Sequence, residues 1–93
     1  MSLNKNELSE LPNIGGNLAL KLNSAGINTK QELYDMGSEA AFLKLKTIDN
    51  DACLNMLCAL EGAVQDIRWH KLDKSRMLEL KEFYNQLQRI DSK

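Results

Sequence analysis

Between Asp51 and Arg68 the chain carries Ala52, Cys53, Leu54, Met56, Leu57, Cys58, Ala59, Leu60, Ala63, Val64 and Ile67, which leaves little polar surface. A helix that is apolar nearly all round has no solvent face and is stable only when other elements cover it. The spacing predicts a central buried helix over 51–67, and the remainder of the 93-residue chain must wrap it. Asp49 and Asp51 are expected to cap its N-terminus, where carboxylates complement the helix dipole.

The flanking segments also show helical spacing. Asn4 with Glu7 forms a capping-box pattern for a short first helix through Glu10, and Pro12 stops it. A helix is expected from Gly16 to Ser24, with Gly26 as its C-terminal cap. Thr29 caps a further helix bearing Leu33, Tyr34 and Met36, which ends at Gly37. Ser38 caps the next, with Phe42, Leu43 and Leu45. Asp73 caps the last, where Met77, Leu80, Tyr84 and Leu87 recur at helical spacing. No segment sustains strand alternation. The expectation is one all-α domain over 1–93, a small bundle of five or six short helices.

The run Leu11-Pro12-Asn13-Ile14-Gly15-Gly16-Asn17-Leu18-Ala19 reads as the turn of a helix-hairpin-helix. The first amides of the following helix lack intrahelical acceptors, and glycine lets another backbone come close. Such a turn can hold a nucleic-acid phosphate. The candidate phosphate-binding set is Gly15, Gly16 and Asn17 through backbone N–H groups, with Lys21 adding charge and Lys5 or Lys30 supplementing it. The competing reading is a purely structural turn that lets two helices cross closely. Asn13 stands where the first glycine of such turns is often found, and asparagine tolerates the left-handed conformation. The basic residue common soon after such a turn is absent at Asn17, and Lys21 lies one turn further on. Laying Leu45–Leu54 over Leu11–Leu20 matches leucine, isoleucine and small positions, which suggests a second, degenerate hairpin. There Asp49 and Asp51 replace the glycines and would repel phosphate, so only the first turn is expected to grip.

Charge narrows the function. The formal net charge is −1, unlike the basic footprint of a strong nucleic-acid binder, so contact with double-stranded DNA would be local, weak and insensitive to sequence. Trp69 is expected to plug the edge of the core, the alternatives being base stacking or a partner anchor. His70, the single histidine, has no ligand cluster around it, and no metal or cofactor is expected. Cys53 and Cys58, about 140° apart on a helix, read as packing residues rather than a zinc knuckle. No nucleophile–base set marks an active site, so no enzyme activity is expected. Lys71, Lys74, Arg76, Lys81, Glu79 and Glu82 read as a mixed solvated face. Leu78 and Phe83 lie off the apolar line of the last helix, and an exposed patch there would suit self-association or a protein partner. No membrane span or secretory signal is apparent, and a cytoplasmic location is expected.

These motifs resemble the C-terminal domain of TfoX, a bacterial regulator of competence, over about residues 7–88. The resemblance runs through Leu11-Pro12-Asn13-Ile14-Gly15, Ala25-Gly26-Ile27, Glu32-Leu33 with Gly37, Leu57-Cys58-Ala59-Leu60-Glu61-Gly62-Ala63, and Ile67-Arg68-Trp69-His70-Lys71-Leu72. The Leu-Glu-Gly-Ala run followed by tryptophan and leucine is the more specific part. The resemblance implies a helix-hairpin-helix or SAM-like helical domain, here expected to stand alone, and a role in transcription or competence regulation.

Overall fold

The computed structural model describes residues 6–91; Asn4 and Lys5 lie outside this range, and with them the proposed Asn4 cap and one of the supplementary cations. The described residues form four α-helices, α1 (Gly16–Ser24), α2 (Lys30–Ile48), α3 (Leu54–Gln65) and α4 (Lys74–Asp91), with short 3-10 helices at Glu7–Glu10 and Trp69–Lys71. The all-α class stands, but four α-helices replace the expected five or six. The first expected helix is only a 3-10 segment, capped by Asn6, whose side-chain oxygen accepts from the Leu8 amide at 3.3 Å. The two helices expected on either side of Gly37 run as one element, broken at Gly37 by φ 81° and ψ 171°. Ser38 is not a free cap there; it is buried and donates its hydroxyl to Glu61.

Local chemistry explains the boundaries. At the end of α1 the Gly26 amide donates to Asn23 and the Ile27 amide to Leu22, a Schellman closure with Gly26 at φ 94°. Leu22 and Ile27, both fully buried, pack across it. Thr29 and Glu32 form a reciprocal capping box at the start of α2. At the start of α4 the Asp73 carbonyl accepts from the Met77 amide, and its carboxylate accepts from the Ser75 hydroxyl.

Helix α3 is the central element, buried without interruption from Leu57 to Ala63. Its contacts are most extensive with α2 and then α4. It begins later than expected. Cys53 is its N-cap, so Ala52 and Cys53 precede the helix and the two cysteines do not share it. Asp49 and Asp51 do not cap it either. Asp49 ends α2, and its carboxylate accepts from the Asp51 amide at 3.0 Å. Cys58 is buried with its sulfur 3.9 Å from that of Met77, and burial pushes its thiol pKa up, as suits a packing residue.

A carboxylate lies within this apolar helix. Glu61 accepts from the Ser38 hydroxyl on α2 at 2.6 Å, from Gln65 on α3, and from the Arg76 guanidinium on α4 at 3.0 Å. Arg76 also pairs with Glu39 at 3.3 Å and Glu79 at 2.9 Å. Arg76 is thus the partner of a buried acid and not part of a purely solvated face. Burial alone would raise the Glu61 pKa. The hydrogen bonds from Arg76, Ser38 and Gln65 outweigh it and hold the carboxyl at about 2, against an ordinary 4.5.

The folded pKa lies below the unfolded one. The stabilisation is therefore complete above about 4.5 and lost as pH falls toward 2. Thermal melts across that window should show a steep acid decline in the wild type and a flatter one in Glu61→Gln. At neutral pH the variant should be less stable by about 2 kcal/mol, because Arg76 loses its buried partner. Equal acid slopes would remove Glu61 as the titrating group.

Candidate nucleic-acid interface

The hairpin turn is anchored by Leu11 and Ile14, both buried. Between them Asn13 adopts φ 71°, the left-handed region anticipated for an asparagine in a glycine position. Its side chain does more than tolerate that geometry. The amide nitrogen donates to the Ile67 carbonyl at 2.9 Å and to the Ala59 carbonyl at 3.4 Å, and the amide oxygen accepts from the Trp69 backbone N–H at 3.1 Å. One side chain therefore ties the turn to the middle of α3, to Ile67 just beyond its end, and to the 3-10 segment that follows. Gly62 makes room for this. A Cβ there would run into the Asn13 amide and sit 2.7 Å from the Ile67 carbonyl oxygen. The glycine of the Leu-Glu-Gly-Ala run is thus explained by a contact with the hairpin turn, far away in sequence.

Gly15 and Gly16 differ from Gly62. Neither has a heavy atom within 4 Å of a built Cβ, and neither has positive φ. The close helix crossing considered for this pair is absent: nothing inside the described chain requires glycine at either position. Gly15 caps α1 with no side-chain hydrogen bond, and no acidic residue occupies the first turn. The first amide of α1 with an intrahelical acceptor is that of Ala19, to the Gly15 carbonyl at 3.0 Å. Gly15, Gly16 and Asn17 are all exposed, so the surface offers glycine backbone and helix-terminal N–H groups to solvent.

The expected cations are less available. Lys21 pairs with the Asp49 carboxylate at 2.7 Å, and that hydrogen bond lowers the Asp49 pKa. Lys30 pairs with Glu10 at 2.9 Å. The cations that make no ion pair or side-chain hydrogen bond among the described residues include Arg68, Lys71 and Lys74, none of which was singled out for the cradle. Their signal is the Arg68-Trp69-His70-Lys71 run. Its relevance depends on the Asn13 contact, which sequence spacing does not reveal. Trp69 does not plug the core edge as expected: it is 42% exposed, with the His70 ring edge-on at 6.0 Å.

The second hairpin exists, but in another register. Ala52 donates to the Asp49 carbonyl as Ile14 donates to that of Leu11, and Cys53 caps α3 without a side-chain bond as Gly15 caps α1. Asp49 therefore matches Leu11, one helical turn later than the sequence overlay suggests. Ile48, overlaid on buried Ile14, is 48% exposed for that reason. The acidic side chains of Asp49 and Asp51 lie at this second turn.

Elsewhere, Leu78 is 62% exposed while Phe83 packs against the core, so one of the two off-line residues of α4 faces solvent. An open groove between the C-terminal parts of α2 and α4 is lined by Leu43, Lys46, Thr47, Asn50, Leu87 and Gln88. Among the described residues no cluster of His, Cys, Asp and Glu could hold a metal ion, and no helix is long and apolar enough to cross a membrane.

If the Asn13 side chain is the fastener, glycine cannot replace it. Asn13→Gly keeps the backbone conformation at no steric cost but removes three hydrogen bonds. It should destabilise by about 1–3 kcal/mol in chemical denaturation. An unchanged or raised stability would mean that only the left-handed φ matters.

With this geometry established, three comparisons bear on the chain. The family described as TfoX C-terminal domain matches residues 4–84. A crystal structure of an uncharacterized protein from Listeria monocytogenes, triclinic form, superposes with TM-score 0.86 at 53% identity, covering 87% of this chain and 92% of that one. A tetragonal-form structure of a protein of unknown function from the same organism gives TM-score 0.83 at 53% identity, covering 85% and 98%. No curated protein matches the chain.

Proposed function

The chain belongs to the TfoX C-terminal domain family, and from that premise we propose that it is a non-enzymatic regulatory or adaptor domain that holds double-stranded DNA weakly and without sequence preference. Backbone N–H groups of Gly15, Gly16 and Asn17 would receive one strand's phosphates, with Lys21 adding charge. The regulatory part follows the family's link to competence and transcription control, and a DNA-bound role would place the protein in the cytoplasm.

One observation carries the reading. Gly15 and Gly16 are exposed and conformationally ordinary, and no neighbour inside the described chain needs the space that a Cβ would fill. Glycine with open space outward is what close approach of an external backbone requires. The net charge of −1 argues for modest affinity. A grip on about two phosphates gives a log–log salt slope of about −2. Lys21 must also exchange Asp49 for phosphate, which weakens binding further.

A second reading, a protein-interaction module with a purely structural hairpin, draws on Leu20 and Leu78, which stand largely in solvent. The two readings separate at Gly16. Glutamate at this first helical position meets no steric obstacle and favours the helix dipole, so Gly16→Glu should fold normally. It should abolish binding to a short random duplex at low salt while leaving any protein association intact. Amide NMR with the labelled protein reads both, and unperturbed Gly15, Gly16 and Asn17 signals on duplex addition would overturn the DNA reading.

Asp49→Asn supplies the opposite sign. Freeing Lys21 should tighten duplex binding several-fold, about the worth of an exposed ion pair, and steepen the salt dependence. An unchanged affinity would exclude Lys21 from the phosphate site.

A further inference from the structure

We propose that Trp69, flanked by Arg68 and Lys71, is a stacking platform for an unpaired base of the same DNA whose backbone the Gly15–Gly16 turn holds, so that the preferred ligand is duplex with a single-stranded tail. The inference rests on the phosphate-binding reading above and deepens it.

The indole is exposed yet mounted on a fixed backbone. Trp69 belongs neither to the buried core nor to the partly buried side chains packed on it. Its amide donates to Asn13 at 3.1 Å, and its carbonyl accepts from the amide of buried Leu72 at 3.1 Å. Its Cα lies 3.2 Å from where a Gly62 Cβ would be. Little backbone freedom remains to be lost when a flat ligand docks on the ring, which is the advantage of preorganisation.

The surroundings match a nucleic-acid strand. Arg68, Lys71 and Lys74 are exposed and make no ion pair among the described residues, which leaves a local excess of positive charge over the carboxylates of Asp66 and Asp73, the latter hydrogen-bonded by the Ser75 hydroxyl. An aromatic face between free cations is the combination that binds single strands, by stacking on bases and neutralising phosphates. The Asn13 contact places this platform beside the turn. Asn13 is three residues from Gly16, a reach of at most about 10 Å, and the Asn13 side chain, its hydrogen bond to the Trp69 amide and the indole's own length add roughly as much again. A span of at most about 20 Å is about six nucleotides at a 3.4 Å rise, so one strand can touch both. Paired bases inside a duplex stack on each other and keep their faces hidden, so away from a duplex end Trp69 can take only an unpaired one. An acidic peptide would satisfy the cations but has no use for a flat indole beside phosphate-ready amides.

Trp69 is the chain's single tryptophan, so its fluorescence reports the contact directly. The full chain is titrated at low salt with a blunt duplex, the same duplex carrying an oligothymidylate tail, the free oligothymidylate, and polyglutamate. The expected result is strong quenching by the tailed duplex and little by the blunt one. Trp69→Ala, whose affinity is read from the Gly16 and Asn17 amide shifts, should bind the tailed duplex about tenfold more weakly, at the blunt-duplex level, with an unchanged melting temperature. Trp69→Tyr should recover part of it.

Four results overturn the proposal. If the tailed duplex leaves the fluorescence unchanged while Gly16 and Asn17 amides still shift, the platform fails and the backbone grip survives; if neither responds, both fail. Equal loss for blunt and tailed duplex in Trp69→Ala would assign the ring to general packing. A response to polyglutamate alone would make the surface a protein-docking site.

Discussion

The constraint on which the rest of the site depends is the fit of one asparagine onto one glycine. Asn13 leaves the hairpin turn with a left-handed backbone and lies across α3 where Gly62 has no side chain. It serves two carbonyls and one amide at the edge of the core. The arrangement also sets positions. Through this contact the turn before α1 is joined to the Trp69 segment, although Asn13 and Trp69 lie 56 residues apart in sequence.

Neighbouring residues of α3 perform the complementary task. Glu61 points toward α2 and α4, where Ser38 and Arg76 meet it. Burying a carboxylate in an apolar helix is costly, and the net worth of a buried pair against a hydrophobic replacement is small. What the pair does provide is directional geometry. Leucine contacts among α2, α3 and α4 would tolerate sliding by part of a turn. A guanidinium shared by Glu61, Glu39 and Glu79 restricts the helices to one register. Gly62 and Glu61 thus join the turn and the outer helices to the same central helix through consecutive positions.

How much of this was readable in the sequence depended on whether the cause was local. Caps and breaks were legible because their chemistry lies within a few residues: Gly26 and Thr29 act as read, and Gly37 breaks the helical geometry where expected, though the element continues past it. The apolar run correctly marked the central helix, but its start did not follow. Asp49 reads as a cap from its neighbours alone, whereas Lys21, distant in the chain, recruits its carboxylate. The same limit hid Arg76, whose partner is on α3, and misplaced Trp69. A lone tryptophan after an apolar helix reads as core, yet the Asn13 contact to its amide holds the backbone at the surface. The proposed phosphate-binding set is the intermediate case. Gly15, Gly16 and Asn17 lie together as the spacing implies, while the charge expected from Lys21 is already engaged.

That engagement reflects the asymmetry between the two hairpins. Both turns share a backbone hydrogen bond and an uncapped helix start. In the first, glycines leave the amides open; in the second, Cys53 and Leu54 stand at the positions of the two glycines, and Asp49 and Asp51 bring negative charge to the turn before them. Asp49 also reaches across to Lys21. Two equivalent turns would present a two-sided surface suited to straddling a duplex. Here one turn carries the opening and the other carries the carboxylate that occupies its nearest lysine. Lys21 can therefore serve an anion at the first turn only by giving up Asp49, whereas Arg68 and Lys71, in the segment tied to that turn by Asn13, have no such partner to leave. The loss of symmetry between the hairpins thus leaves the unengaged positive charge on the segment that follows α3 rather than on α1.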